Sequence, residues 1–139
     1  MRIKSQHIKR NRWLYFTITF LIAALCGSFC ANGQDTAAGK TVSQNKFQRL
    51  IKKKNTVLLD VRTIEEYKAG HIPNSAQIDV LKKDEFKTNL NGLDKNKTYL
   101  VYCRSGKRSK EAMRIMKELG FNRLYDLEGG FSKWTGEKE

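Results

Sequence analysis

Tyr99-Leu100-Val101-Tyr102-Cys103-Arg104-Ser105-Gly106-Lys107-Arg108-Ser109 is an apolar run that ends on a cysteine and a short basic loop, and the amphipathic segment Lys110 to Leu119 follows it. The run reads as a buried strand, the loop as a turn and the segment as a helix, with Ala112, Ile115, Met116 and Leu119 at helical spacing and Gly120 as the stop. A thiol at such a junction lies where backbone N–H groups and the positive end of a helix dipole converge. Arg104, Lys107 and Arg108 add positive charge. That surrounding favours a thiolate and an anion held next to it. Ser109 is the expected N-cap of the helix.

Upstream, the same alternation repeats. Thr41-Val42 opens a short strand, and Ser43 precedes a helix with Phe47, Leu50 and Ile51 on one face. Thr56 to Leu59 is a continuous apolar run of the kind buried on both faces of a parallel sheet, and it ends at Asp60-Val61-Arg62. Thr63 and Glu66 have capping-box spacing ahead of a short helix from Ile64 to Ala69. His71 to Asn74 is a turn, Ala76 to Ile78 a short strand, and Asp84 to Leu90 a helix. After the cysteine helix come a last strand, Arg123 to Leu127, a break at Gly129-Gly130 and a helical turn from Phe131 to Trp134. The pattern predicts an α/β fold with a mainly parallel five-stranded sheet flanked by helices. Ligands of such sheets bind beyond the carboxyl ends of the strands, so Cys103 and Asp60 to Arg62 belong on one rim if their strands run parallel.

The first residues have a different character. Met1 to Arg12 is basic without an acid, Trp13 to Phe29 is apolar for 17 residues, and small or polar residues follow. This is the order of a secretory signal, with a cut expected after Gly33. The expected organisation is a signal peptide over 1–33, a flexible linker over 34–40 and one domain over 41–136. An uncleaved anchor is the alternative, since the run is at the short limit for spanning a bilayer. Lipid attachment at Cys30 is a third option, against which bulky Phe29 argues. The expected location is the periplasm or the medium, or the membrane if the leader stays.

The formal net charge of +13 is partly the leader's, because five of the 27 basic residues lie there and all 14 acids lie after it. The remaining lysines are scattered, without an aromatic and basic platform, so the charge reads as a solvated surface able to attract small anions. No nucleic-acid partner is expected. Cys26 and Cys30 fall in the leader, which leaves Cys103 alone. A single thiol forms neither an internal disulfide, nor a zinc site, nor a Cys-x-x-Cys pair. No metal or organic cofactor is expected, and the default state is a monomer.

Four motifs together resemble the rhodanese (thiosulfate sulfurtransferase) family in its single-domain form. They are Leu58 to Arg62; Glu65-Glu66-Tyr67 with Gly70 to Ser75; Val101 to Ser109; and Leu127 to Phe131 with Trp134. Asn74 stands where the family often has Gly. The resemblance implies that Cys103 accepts a sulfur atom and carries it as a persulfide. It implies a substrate-binding loop made of Arg104, Ser105, Gly106, Lys107, Arg108 and Ser109, with Arg104 and Lys107 serving a small anionic donor such as thiosulfate. Cyanide or a thiol would be the acceptor. Arg108 either faces the donor or buttresses the loop by pairing with an acid. Asp60 is expected to support the loop by accepting from its amides or from an Arg. Arg62 is expected to pair with Glu66 or Glu128, and His71 to be a turn residue.

Two rivals remain at this level. A phosphatase or arsenate reductase shares a cysteine-led anion loop, but the phosphatase pattern needs Arg six positions after Cys, and that position is Ser109. A non-catalytic binding module of the same fold would not need the cysteine and basic loop that this chain retains.

Overall fold

The computed structural model describes residues 39–139, and the expected signal peptide, its cleavage point and all but the end of the linker lie outside them. Among the described residues no helix is long and apolar enough to cross a membrane.

Five strands, β1 (Lys40–Val42), β2 (Thr56–Asp60), β3 (Ala76–Gln77), β4 (Thr98–Tyr102) and β5 (Leu124–Leu127), form one sheet in the order β1-β5-β4-β2-β3. Every pairing is parallel. Four helices, α1 (Gln44–Ile51), α2 (Ile64–Lys68), α3 (Lys83–Asn91) and α4 (Lys107–Glu118), connect the strands, and a 3₁₀ turn covers Phe131–Lys133.

The apolar runs of β2 and β4 are continuous because both faces of the sheet are covered. Successive side chains of a strand point to opposite faces. Leu59, Tyr99, Val101 and Cys103 therefore join Phe86 and Leu90 of α3 and Ala112, Met113 and Met116 of α4 in one buried cluster. Leu58, Leu100 and Tyr102 face the other way, toward Phe47 of α1, Leu127 and Trp134.

The order of strands places the site. The chain leaves β2 toward β3 on one side and leaves β4 toward β5 on the other. Connections that depart in opposite directions open a crevice at the carboxyl ends of the two strands between them. Asp60 and Tyr102 are partners in register at those ends. The next residues, Val61-Arg62 and Cys103, emerge side by side.

The junction after β4 differs from its sequence reading. Helix α4 begins at Lys107, not near Ser109, and Gly106 occupies the N-cap with φ +100°. A left-handed residue turns the chain sharply from strand to helix, and glycine adopts it without a Cβ clash. Lys107, Arg108 and Ser109 thus form the first helical turn, and Ser109 is not the N-cap. The short helix α2 follows its reading closely, since Thr63 and Glu66 exchange both bonds of a capping box.

Candidate active site

Cys103 Sγ is buried at the focus of the loop. The Gly106 amide donates to it across 3.2 Å, and Ser109 Oγ stands 3.5 Å away. Burial opposes ionisation of this thiol. The Ser109 hydroxyl and the amides of Ser109, Gly106 and Ser105 outweigh it and hold the thiol below its ordinary value. Ser105 is exposed, so its backbone, which faces the sulfur, is the part that contributes.

The backbone outside the loop explains why those amides point inward. Phe131 N–H donates to the Cys103 carbonyl at 2.8 Å and Ser132 N–H to the Arg104 carbonyl at 2.9 Å. In a trans peptide the carbonyl and the following N–H point in opposite directions. Drawing the Arg104 carbonyl out toward the 3₁₀ turn therefore swings the Ser105 amide toward the sulfur, and the bond to the Cys103 carbonyl fixes the start of the loop. Gly130, with φ +62°, permits this approach: a Cβ there would lie 2.6 Å from the Cys103 and Arg104 carbonyl oxygens. The Gly129-Gly130 pair, read as a chain break, is a clamp.

Asp60 and Arg62 support the site from β2. Their carboxylate and guanidinium meet at 2.6–3.0 Å, with both side chains buried. Asp60 also accepts the Arg62 amide, and Arg62 Nη2 donates to the Gly70 carbonyl. The guanidinium lies 4.1 Å from the Phe131 ring centroid, so β2 braces the clamp as well. Arg62 pairs with neither Glu66 nor Glu128. Residues two apart on extended chain share a side, which puts Asp60 nearest.

Arg108 takes Glu66 instead, in a two-point contact of 2.7 and 2.8 Å. The Arg108 bond holds the Glu66 carboxyl down at about 2, against the opposing effect of burial. Because Glu66 belongs to the capping box of α2, this pair ties α4 to α2 across the site. Of the two sequence readings for Arg108, its side chain takes the buttress. Its charge still acts on Cys103.

Arg104 and Lys107 are exposed and take part in no ion pair among the described residues. They flank the loop on different sides. Arg104 lines a depression with Arg62, Gly70 and Phe131, whereas Lys107 lines a wider one with Ser105, Gly106, Lys83 and Lys110. Tyr102, just before Cys103, holds the neighbouring turn: the Ile72 amide donates to its hydroxyl at 3.1 Å, and Ser75 Oγ lies 3.0 Å away. Asn74 in that turn has φ +62°, a left-handed conformation that Asn tolerates and Gly commonly fills. His71 stacks on Tyr67 with its Nδ1 3.1 Å from the Tyr67 carbonyl, within that turn.

Sequence reading missed Asp126. This residue of β5 is fully buried, and its carboxylate accepts from Ser109 Oγ at 2.5 Å. The signal was a charged residue inside an otherwise apolar strand, which buried strands rarely hold without a partner. Among the described residues no group of His, Cys, Asp and Glu is arranged to hold a metal ion.

A parallel five-stranded sheet with a cysteine-led amide loop at its crevice is the architecture of rhodanese-like domains. Comparison agrees: the pattern of that domain matches residues 43–137, and the chain belongs to the rhodanese-like family. It is 35% identical to thiosulfate sulfurtransferase GlpE of Coxiella burnetii over 95 residues, covering 68% of this chain and 86% of that protein. It is 39% identical over 82 residues to YrkF of Bacillus subtilis, named as a candidate sulfur carrier protein; the match covers 59% of this chain and 43% of YrkF. The crystal structure of a rhodanese-like domain protein from Staphylococcus aureus superimposes with a TM-score of 0.61 at 31% identity, covering 70% and 93% of the two chains.

Two predictions follow from this geometry. Gly130→Ala pushes the clamp off the Cys103 and Arg104 carbonyls, and displacement of a reacting group by an ångström costs about 100-fold in rate. Alkylation of Cys103 by iodoacetamide at neutral pH is expected to slow by up to that factor while the protein stays folded by circular dichroism. The Glu66 carboxyl is lowered from its ordinary 4.5 to about 2, so its contribution to stability is full above 4.5 and disappears as pH falls through about 2. Urea unfolding of Glu66→Gln across that window is expected to show a shallower loss of stability with acid than the parent chain.

Proposed function

We propose that the protein is a sulfurtransferase that moves a sulfane sulfur from thiosulfate or a similar anion to a thiol or cyanide. The observation that carries this reading is the buried Cys103 sulfur with amides and a hydroxyl gathered around it. The thiolate attacks the outer sulfur of the donor, a new S–S bond forms, the donor's own S–S bond breaks, and sulfite leaves with the electron pair. The acceptor then attacks the outer persulfide sulfur, and Cys103 leaves again as thiolate. This is double-displacement covalent catalysis. Thiosulfate is a dianion approaching a thiolate, so uncompensated repulsion would oppose contact. Arg104 and Lys107, free at the mouth of the loop, supply the compensating charge. Nothing in these steps calls on a metal or an organic cofactor.

The likeness to YrkF gives a second reading, a sulfur carrier that forms the same persulfide and hands it to one dedicated partner. Rapid turnover with thiosulfate and cyanide favours the transferase; a single loaded sulfur without turnover favours the carrier. The phosphatase reading loses support from Arg108, which is tied to Glu66 rather than free to bind a phosphate.

Intact mass measurement after thiosulfate treatment tests the persulfide. One added sulfur atom is expected, removable by dithiothreitol and absent in Cys103→Ser; an unchanged mass in the parent chain refutes the proposal. In the same assay Arg104→Ala and Lys107→Ala are expected to slow sulfur uptake about tenfold while changing alkylation by iodoacetamide, a neutral reagent, much less.

We also propose that residues 1–33 direct export, on the order of basic, apolar and small residues in that stretch. N-terminal sequencing of the mature protein is expected to start at Gln34; recovery of an intact Met1 start at the membrane would identify an anchor instead.

A further inference from the structure

Ser109 Oγ has one proton and three acceptors around it. Asp126 Oδ1 is 2.5 Å away, the Gly106 carbonyl 3.1 Å and Cys103 Sγ 3.5 Å. Cys103, Ser109 and Asp126 are 0–1% exposed, so water does not supply a substitute donor. The contacts to the Asp126 side chain come from donors: Ser109 Oγ to Oδ1, and Thr41 Oγ1 to Oδ2 at 3.4 Å. That is the surrounding of a carboxylate. A charge-assisted bond is the shorter and stronger one, so Asp126 takes the larger share of the Ser109 proton and the sulfur the smaller.

We propose that Asp126 is a positioning residue that tunes the Cys103 thiolate through the single proton of Ser109. As a carboxylate it competes with the sulfur for that proton and weakens the bond that Ser109 gives the thiolate. The loop amides and the Ser109 hydroxyl favour ionisation, and Asp126 restrains it by competing for that hydroxyl. The other groups around the pair are accounted for. Lys110 of α4 acts on Asp126. Arg108 of α4 acts on Cys103, with Glu66 of α2 bound to it and Asp79 after β3 acting on it. Asp126 is the acid joined to the sulfur through a shared hydroxyl. Burial raises its carboxyl above the ordinary value despite the donors it accepts, in keeping with a costly buried charge.

The restraint has a chemical use. Nucleophilicity falls as a thiol becomes more acidic, while a more acidic thiol is the better leaving group. A moderately basic Cys103 takes a sulfur readily; a strongly acidic one releases it readily. Asp126 sets the balance between these two halves of a transfer cycle, and its effect on the thiol holds whatever the donor and acceptor are.

The experiment is the pH dependence of iodoacetamide alkylation in the full chain. In Asp126→Asn the amide donates to Ser109 Oγ and releases the hydroxyl proton to the sulfur. The midpoint is expected to move down by about one pH unit. In a Ser109→Ala background the same Asp126→Asn change is expected to move it by less than a third as much. An unchanged or raised midpoint in folded Asp126→Asn overturns the proposal, and so does a full-sized shift in the Ser109→Ala background, which would mean that charge acts without the hydroxyl. Should Asp126→Asn fail to fold, carboxyl ¹³C NMR decides. The Asp126 signal in the parent chain is expected to show a step at the thiol's midpoint that vanishes in Cys103→Ala. A parent chain without that step overturns the proposal equally.

Discussion

Two carbonyls pulled outward make the site. The bonds from Phe131 and Ser132 to the Cys103 and Arg104 carbonyls fix the orientation of two peptide planes. Peptide planarity then turns the Ser105 amide, on the far side of the Arg104 carbonyl, toward the sulfur. The Gly106 amide joins it at the left-handed turn, and the Ser109 amide joins from the first turn of α4. The surroundings of Cys103 are therefore set by backbone, and that backbone is set by a clamp at Phe131 and Ser132, far downstream in the chain. Arg62 links the clamp to β2 by lying against Phe131 while Asp60 holds it.

The cations divide into two groups by what they touch. Arg62 and Arg108 are each matched to one carboxylate in a fork geometry and are spent on architecture. Arg104 and Lys107 carry no such partner among the described residues. A structural arginine can be recognised because its acid is buried or half-buried with it. Under the proposed function a cation for substrate has to remain unmatched until substrate arrives, and exposure at the loop mouth is what that role requires of Arg104 and Lys107.

Much of this was legible in the sequence. The alternation of apolar runs with amphipathic segments led to the parallel sheet, and the capping box of Thr63 and Glu66 could be read from spacing alone. The rim that joins Cys103 to Asp60 and Arg62 followed from strand direction. What escaped were contacts between residues far apart in the chain. Arg62 could have chosen among several acids, and only the shared side of β2 made Asp60 the partner. Ser109 has the chemistry of an N-cap, but the left-handed Gly106 starts the helix three residues sooner and leaves its hydroxyl for Asp126. Gly129-Gly130 looked like punctuation because the need for glycine at Gly130 comes from the Cys103 and Arg104 carbonyls, which only folding brings there.

Burial and ionisation are opposed in Cys103, which is 1% exposed and yet holds its proton less tightly than a free thiol. The conflict resolves once the source of stabilisation is considered. Cations at the surface are screened by salt and surrounded by water that reorganises with every charge movement. Amides locked in a buried loop are neither screened nor free to turn away, so they act at full strength on a charge placed among them. Desolvation makes an unassisted thiolate costly, but the same dry surroundings strengthen each N–H bond to sulfur. A sulfur buried among fixed donors is thus a more dependable anion than one exposed beside lysines. In the proposed transfer the surface cations are left to attract the donor.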